Sequence, residues 1–185
     1  VSGRCTVQHA NVAALLETVV AAASLPLDHI SFLAVDVTSA AFNRPEGWPA
    51  SRRAEVGVGV EDLPTLADQL ARLEHACADH FTSGFIVETP DKLRRRLLWH
   101  FEALHGMRPF PPQRCNAPWV STVVEADGTV RPCFFHPPIG TVHQAGGLRA
   151  AVCGPAGRAF RRGLDVSTDS TCQACVCTLY REGAP

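Results

Sequence analysis

The sequence lacks an excess of charge of either sign. Its 17 Lys and Arg residues nearly balance 18 Asp and Glu residues, so the formal net charge is −1. The basic residues are scattered apart from the run Arg94-Arg95-Arg96, whereas proteins that bind nucleic acid or a membrane surface carry a concentrated basic face. We therefore expect neither nucleic acid nor membrane as a partner.

Long apolar runs are also missing. No stretch reaches the roughly 20 apolar residues of a spanning helix, and no secretory signal series opens the chain. We expect a soluble, cytoplasmic protein. Its eight cysteines could pair as disulfides in a secreted protein, but a chain of 185 residues with 46% hydrophobic residues can build a core without cross-links. Reduced thiols that hold a metal fit this chain better.

Common catalytic signatures are absent as well. The sequence contains no convincing Ser/His/Asp arrangement, phosphate-binding glycine loop or pair of catalytic carboxylates. None of the eight histidines is followed four residues later on a predicted helix by a second histidine or a cysteine that could share a metal. His136 precedes two prolines and is predicted to be a loop residue rather than a ligand. The cysteines remain as the main functional signal.

The first half of the chain reads as alternating strands and helices. Residues 1–7 are predicted to form a strand. Asn11 is the predicted cap of the helix that follows, whose apolar residues recur at helical spacing. The apolar run 29–37 is typical of a buried parallel strand. Together these segments predict a βαβ unit and an α/β fold class.

Two further helices are predicted before a proline-rich boundary. Residues 44–60 are rich in Pro, Gly and Arg and predict a surface loop. Asp62 and Thr89 are the predicted caps of helices with leucines on one face. The prolines that begin at Pro109 end the second of these helices, and they divide the chain into predicted domains, 1–108 and 109–185.

The second domain begins with a predicted hairpin. Its strands alternate on either side of Asp127-Gly128, the preferred dipeptide of a two-residue turn, which would pair Ala126 with Thr129. A helix over residues 148–162 is predicted to follow. The turn brings Cys115 towards Cys133.

The cysteines fall into two groups that are far apart in sequence and compact within each group. Cys115 and Cys133 form C-x12-G-x4-C, and Cys172, Cys175 and Cys177 form C-x-x-C-x-C. Such groups are typical of soft-metal ligands, although a buried cysteine also serves as a small hydrophobic residue. Structural zinc usually uses two C-x-x-C knuckles, and here there is one, so the spacing favours an iron–sulfur cluster over zinc.

These segments resemble a known family. The stretches similar to the SPASM or twitch extension of radical S-adenosylmethionine (SAM) enzymes are residues 115–119, 123–133, 139–140, 160–162 and 172–175. The front half resembles the last β/α units of the radical SAM barrel. The resemblance implies the end of a partial (β/α) barrel, followed by a small α+β cluster-binding domain with a β-hairpin.

The resemblance also implies the ligands. One auxiliary 4Fe-4S cluster would be bound by Cys115, Cys133, Cys172 and Cys175, with Cys177 as an alternative for the fourth place. The full extension carries more cysteines and binds two auxiliary clusters, so this shorter pattern implies one.

The family motif that cleaves SAM, C-x3-C-x2-C, is not found in this chain. Cys5 and Cys77 are isolated and cannot replace it, and both are predicted to pack as core residues, as is Cys153. We expect the chain to be the C-terminal part of a longer radical SAM enzyme and to be inactive alone. The resemblance implies that the full-length enzyme binds SAM and a second 4Fe-4S cluster, takes electrons from a reductant such as flavodoxin or ferredoxin, and oxidises or rearranges a peptide or small-molecule substrate. A non-catalytic zinc-binding or electron-transfer module is the alternative.

A pocket is expected where the second strand ends. Asp36, Ser39 and Asn43 follow that strand, and ligands bind beyond the carboxyl ends of parallel strands. The alternative role for these residue types is turn formation.

Overall fold

The computed structural model describes residues 1–41, 44 and 47–183, which form two compact units. Unit 1 comprises Val1–Thr38 and Trp48–Pro111, and unit 2 comprises Ser39–Gly47 and Pro112–Pro185. The described residues form helices and two small sheets, which close no barrel. No helix in these ranges is long and apolar enough to cross a membrane. The chain is thus a mixed α/β structure, and the assignment of its first 108 residues to a radical SAM barrel stays a prediction.

The predicted βαβ unit is present in unit 1. Strands β1 (Ser2–Val7) and β2 (His29–Ala34) are parallel and in register from their first to their last residues, and helix α1 (Leu15–Ala23) connects them. Ile86 makes a parallel bridge to Ile30 at the other edge of β2. A third chain segment therefore follows the sheet in the same direction.

The remaining helices of unit 1 are α2 (Ala50–Val56), α3 (Leu63–Ala76), α4 (Ala78–Thr82), α5 (Pro90–Arg94) and α6 (His100–Leu104). A π-helical turn, Arg95–Trp99, joins the last two, and 3-10 turns lie at His9–Asn11 and Val60–Asp62. The loop predicted over residues 44–60 is wrong where α2 forms. That segment holds Ala, Arg and Glu, which favour helix, between Pro49 and Gly57.

The caps of these helices differ in how well the sequence predicts them. Thr89 caps α5 as predicted, because its hydroxyl accepts from the Lys92 N–H at 3.3 Å. Asn11 does not cap α1, which begins four residues later. The side-chain oxygen of Gln69, buried on α3, instead accepts from the N–H groups of Leu15 and Leu16 at 3.1 and 3.2 Å. A side chain distant in sequence thus satisfies the free donors of α1.

Leucines and aromatic residues of the sheet and helices form the core of unit 1. Its largest fully buried side chains include Phe32, Phe101, Leu15, Leu66, Leu73, Ile86, Leu93 and Leu97. Buried polar residues of unit 1 include Glu88 and His100. The Glu88 carboxylate accepts from the Phe32 N–H at 3.2 Å, whereas the Nε2 atom of His100 is the one buried side-chain nitrogen or oxygen in the described residues that has no hydrogen-bond partner.

Unit 2 is built on a three-stranded antiparallel sheet. Its strands are β3 (Val123–Val124), β4 (Thr129–Arg131) and β5 (Gly140–Thr141), and its helices are α7 (Ala117–Val120), α8 (Gly147–Cys153), α9 (Pro155–Gly163) and α10 (Ser170–Gln173). Val130, Ile139 and Ala151 form a small buried core beneath the sheet. The single helix predicted over 148–162 is wrong, because Gly154 is extended and Pro155 begins a new helix.

The hairpin has a different register from the predicted one. Val124 pairs with Val130, and the Glu125 N–H donates to the Thr129 carbonyl at 2.8 Å, so the loop holds three residues rather than two. Gly128 has a φ of +83°, the left-handed conformation that completes a three-residue loop. The Asp-Gly signal correctly predicts the hairpin but not its loop length.

Candidate metal centre

Asn116, which follows Cys115, is hydrogen-bonded to the C-terminal segment of the chain. The Asn116 backbone N–H donates to the Leu179 carbonyl at 2.8 Å. The Asn116 side-chain amide donates to the Arg181 carbonyl at 2.8 Å and accepts from the Arg181 N–H at 2.9 Å. Asn116 is itself buried, with 7% of its surface exposed. These bonds place Cys115 beside the chain that carries the C-x-x-C-x-C run.

Cys133 lies just after β4, where the backbone turns around its sulfur. The backbone N–H groups of Phe135 and His136 act on this sulfur and favour its charged form. Burial raises the pKa of the Cys133 thiol, these two donors lower it, and the negative charges of Cys115 and Asp169 raise it further. Amide N–H groups that favour the charged form suit a sulfur that carries negative charge.

Cys172 and Cys175 lie on α10 and in the turn that follows it. Asp169 caps this helix, since its carboxylate accepts from the Cys172 N–H at 2.9 Å. Burial raises the pKa of Cys172 to about 12, and Asp169, Cys133 and Cys175 add to the rise. Burial also raises the pKa of Cys175 to about 12, with contributions from the charges of Cys115, Cys177 and Cys133.

The four predicted ligand thiols therefore influence one another's ionisation. Cys133 interacts with Cys115 and with Cys172, and Cys175 interacts with all three. Such crowding opposes ionisation of the thiols, and a bound cation reverses that effect. All eight cysteines are free thiols. Metal ligation by these four stays a prediction, and the donor set fits an iron–sulfur cluster, which is held by four thiolates.

The remaining cysteines lie in different surroundings. Cys177 is exposed, and its N–H donates to the Cys175 sulfur at 3.4 Å, so its place as an alternative ligand stays a prediction. Of the cysteines expected in the core, Cys77 is buried and Cys5 is half-buried. Cys153 is exposed near the end of α8, so that expectation is wrong for Cys153.

His136 is part of this site, although the sequence predicted only a loop residue. Its Nε2 lies 3.3 Å from the Cys172 sulfur and 3.7 Å from an Asp169 carboxylate oxygen. The ligand atoms of these three residues lie within 4.8 Å of one another. Burial lowers the pKa of His136, and Asp169 partly opposes this shift. The spacing Cys133-x2-His136, equal to that between Cys172 and Cys175, is the signal that could have identified it.

The predicted pocket residues make local turn contacts. The Asp36 carboxylate accepts from the Thr38 N–H at 3.2 Å, and the Ser39 hydroxyl accepts from the Ala41 N–H at 3.2 Å. Asp36 follows β2 in unit 1, whereas Ser39 belongs to unit 2. Asn43 lies outside the described residues. A role for these residues in binding substrate or SAM stays a prediction.

Comparison with known proteins finds a family match over the segment that carries the predicted cysteine ligands. Residues 115–176 match the family model of SPASM, an iron–sulfur cluster-binding domain. No curated protein and no solved structure matches the chain. The match spans Cys115, Cys133, Cys172 and Cys175 and stops just before Cys177. This part of the chain is thus similar to SPASM domains, a family described as iron–sulfur cluster-binding.

Proposed function

We propose that this chain binds one auxiliary 4Fe-4S cluster through Cys115, Cys133, Cys172 and Cys175, as part of a radical SAM enzyme. The observation that carries the proposal is the match of residues 115–176 to the SPASM family, within which Cys115, Cys133 and Cys172 each interact electrostatically with Cys175. When bound, such a cluster supplies one-electron transfer.

Residues around the four thiols would help unit 2 to hold this cluster. Asn116 fixes the chain beside Cys115 to the C-terminal segment. The Cys177 N–H donates to the Cys175 sulfur, and the N–H groups of Phe135 and His136 lower the pKa of Cys133, which favours the thiolate at both positions. Burial of these two sulfurs limits access of water. The site is therefore organised around negative sulfur.

The radical SAM part of the proposal draws support from unit 1 and from the family resemblance. The parallel β1–α1–β2 unit and the parallel bridge at Ile86 are the local pattern of a (β/α) fold. Asp36 stands beyond the carboxyl end of β2, where such folds bind ligands. SAM and a second 4Fe-4S cluster would bind in the full-length enzyme, with a flavodoxin or ferredoxin as reductant and a peptide or small molecule as substrate.

Metal analysis of anaerobically purified protein tests the cluster. We expect about four iron and four acid-labile sulfide per chain. A second candidate, a non-catalytic zinc module, is favoured by the group formed by His136, Asp169 and Cys172, because zinc accepts nitrogen, oxygen and sulfur ligands together. About one zinc per chain with no sulfide would establish that alternative.

The radical SAM assignment needs a separate test. The chain alone should form no 5′-deoxyadenosine from SAM under reducing conditions. The chain expressed together with the coding sequence that precedes it should form this product, and that preceding sequence should contain C-x3-C-x2-C. A preceding sequence without the motif would refute the assignment and leave the cluster site unaffected.

A further inference from the structure

His136 is held in place more firmly than a loop residue requires. The residue is only 5% exposed, and its ring packs edge-on against Phe160, with centroids 4.9 Å apart. The Arg131 guanidinium donates to the His136 carbonyl at 3.1 Å and to Glu125 at 2.8 Å. The backbone and the ring are thus both fixed, and Nε2 faces the Cys172 sulfur at 3.3 Å.

The chemistry of the contact determines which atom carries the proton. A thiolate bound to iron has no proton, so the hydrogen of this contact must reside on Nε2. An Asp169 oxygen lies 3.7 Å from Nε2, beyond hydrogen-bond distance, and that oxygen already accepts from the Cys172 N–H at 2.9 Å. The imidazole N–H is therefore directed at sulfur.

We propose that His136 donates a hydrogen bond from Nε2 to the Cys172 sulfur and thereby raises the reduction potential of the cluster. The inference rests on the proposed cluster site. Hydrogen bonds to cluster sulfurs and local charge both set the potential. A donor stabilises the more negative, reduced state, whereas the Asp169 carboxylate, which also lies close to the Cys172 sulfur, destabilises it. The two side chains act on the same sulfur in opposite directions.

Redox titration of the full chain, followed by EPR, tests this role. His136→Phe keeps an aromatic ring against Phe160 and removes the donor. We expect unchanged iron and sulfide content and a negative shift that corresponds to about a tenfold change in the reduction equilibrium, or about 59 mV for one electron. Asp169→Asn keeps a good helix cap and should shift the potential in the positive direction.

Two further variants separate this role from a general effect on the fold. His136→Gln retains an N–H donor and should restore most of the potential lost in His136→Phe. His143 is exposed and contacts the Asp127 carbonyl, so His143→Phe is a matched control that should leave the potential unchanged.

The outcomes distinguish this inference from the proposed function. If the unaltered protein binds no iron and sulfide, the proposed function fails and the inference falls with it. If the unaltered protein loads a cluster, two results overturn the inference alone. One is an unchanged potential in His136→Phe. The other is loss of iron from both His136→Phe and His136→Gln, which would make His136 a ligand or a structural residue.

Discussion

The Asn116 amide should control how tightly the protein retains iron. This side chain forms two hydrogen bonds with the backbone of Arg181, at 2.8 and 2.9 Å. Each contributes about 0.5–1.5 kcal/mol, so Asn116→Ala should cost about 2 kcal/mol. The population in which the C-terminal segment is detached should rise about thirtyfold. The backbone bond to Leu179 survives the substitution, so detachment should remain the minor state.

Release of iron to a chelator under anaerobic conditions measures this population, because ligands on a detached segment lose their partners. We expect release from Asn116→Ala to be about thirtyfold faster, by the same relation of free energy to equilibrium. Asn116→Asp replaces the donor with a second acceptor that faces the Arg181 carbonyl, and it should release iron at least as fast.

Asn11 supplies a matched control in unit 1. Its side chain donates to the Thr6 carbonyl at 3.0 Å and accepts from the Gln8 N–H at 2.9 Å. Asn11→Ala should lower the free energy of unfolding without speeding the release of iron. The reasoning is refuted if Asn116→Ala releases iron at the rate of the unaltered protein, or if Asn11→Ala accelerates release as much.

Three further predictions concern stability. Burial lowers the pKa of His100 from 6.5 to about 4. The free energy of unfolding should therefore fall by about 3 kcal/mol as the pH drops from 6.5 to about 4. Urea titrations should show this loss in the unaltered protein and not in His100→Phe. Gly128→Ala should cost about 1–2 kcal/mol in thermal unfolding, because φ is +83° and the added Cβ would collide with the His143 ring. Thr89→Ala removes the acceptor of the Lys92 N–H and should cost about 1 kcal/mol by the same measurement, whereas Thr89→Ser should not.

The sequence predicts elements whose signals are local. The strand–helix–strand order of β1, α1 and β2 is readable because strand and helix periodicities differ. Thr89 followed by Pro90 predicts the start of α5, because a capping Thr and a Pro at the first helical position are also local signals. Asn11 is misread because the donors of α1 are satisfied by Gln69, more than fifty residues away. No local pattern contains that partner.

Turns show the same limit. Asp-Gly is compatible with loops of two and of three residues, and what favours three here includes the bond from the Thr129 N–H to the Asp127 carboxylate at 2.9 Å. Pairing of β4 with β5 adds a second constraint from outside the hairpin. The register therefore depends on interactions that the dipeptide does not specify.

Part of the candidate metal centre could be predicted from the sequence, and part could not. The cysteine spacing predicts a metal centre, and the four predicted ligand thiols influence one another's pKa values in the structure. His136 and Asn116 gain their roles from contacts with Cys172 and Arg181, which are 36 and 65 residues away. Such contacts depend on the folded path of the chain between β4 and the C-terminal segment.

Iron and sulfide content across single cysteine variants tests the central claim most directly. Serine at each of the four proposed ligands, Cys115, Cys133, Cys172 and Cys175, should remove most of the bound iron, sulfide and visible absorbance. Alanine at Cys5, Cys77 and Cys153 should retain about four iron per chain, as should serine at Cys177. Full iron content in any of the four serine variants, or loss of the cluster on changing Cys177 but not Cys175, would contradict the proposed ligand set.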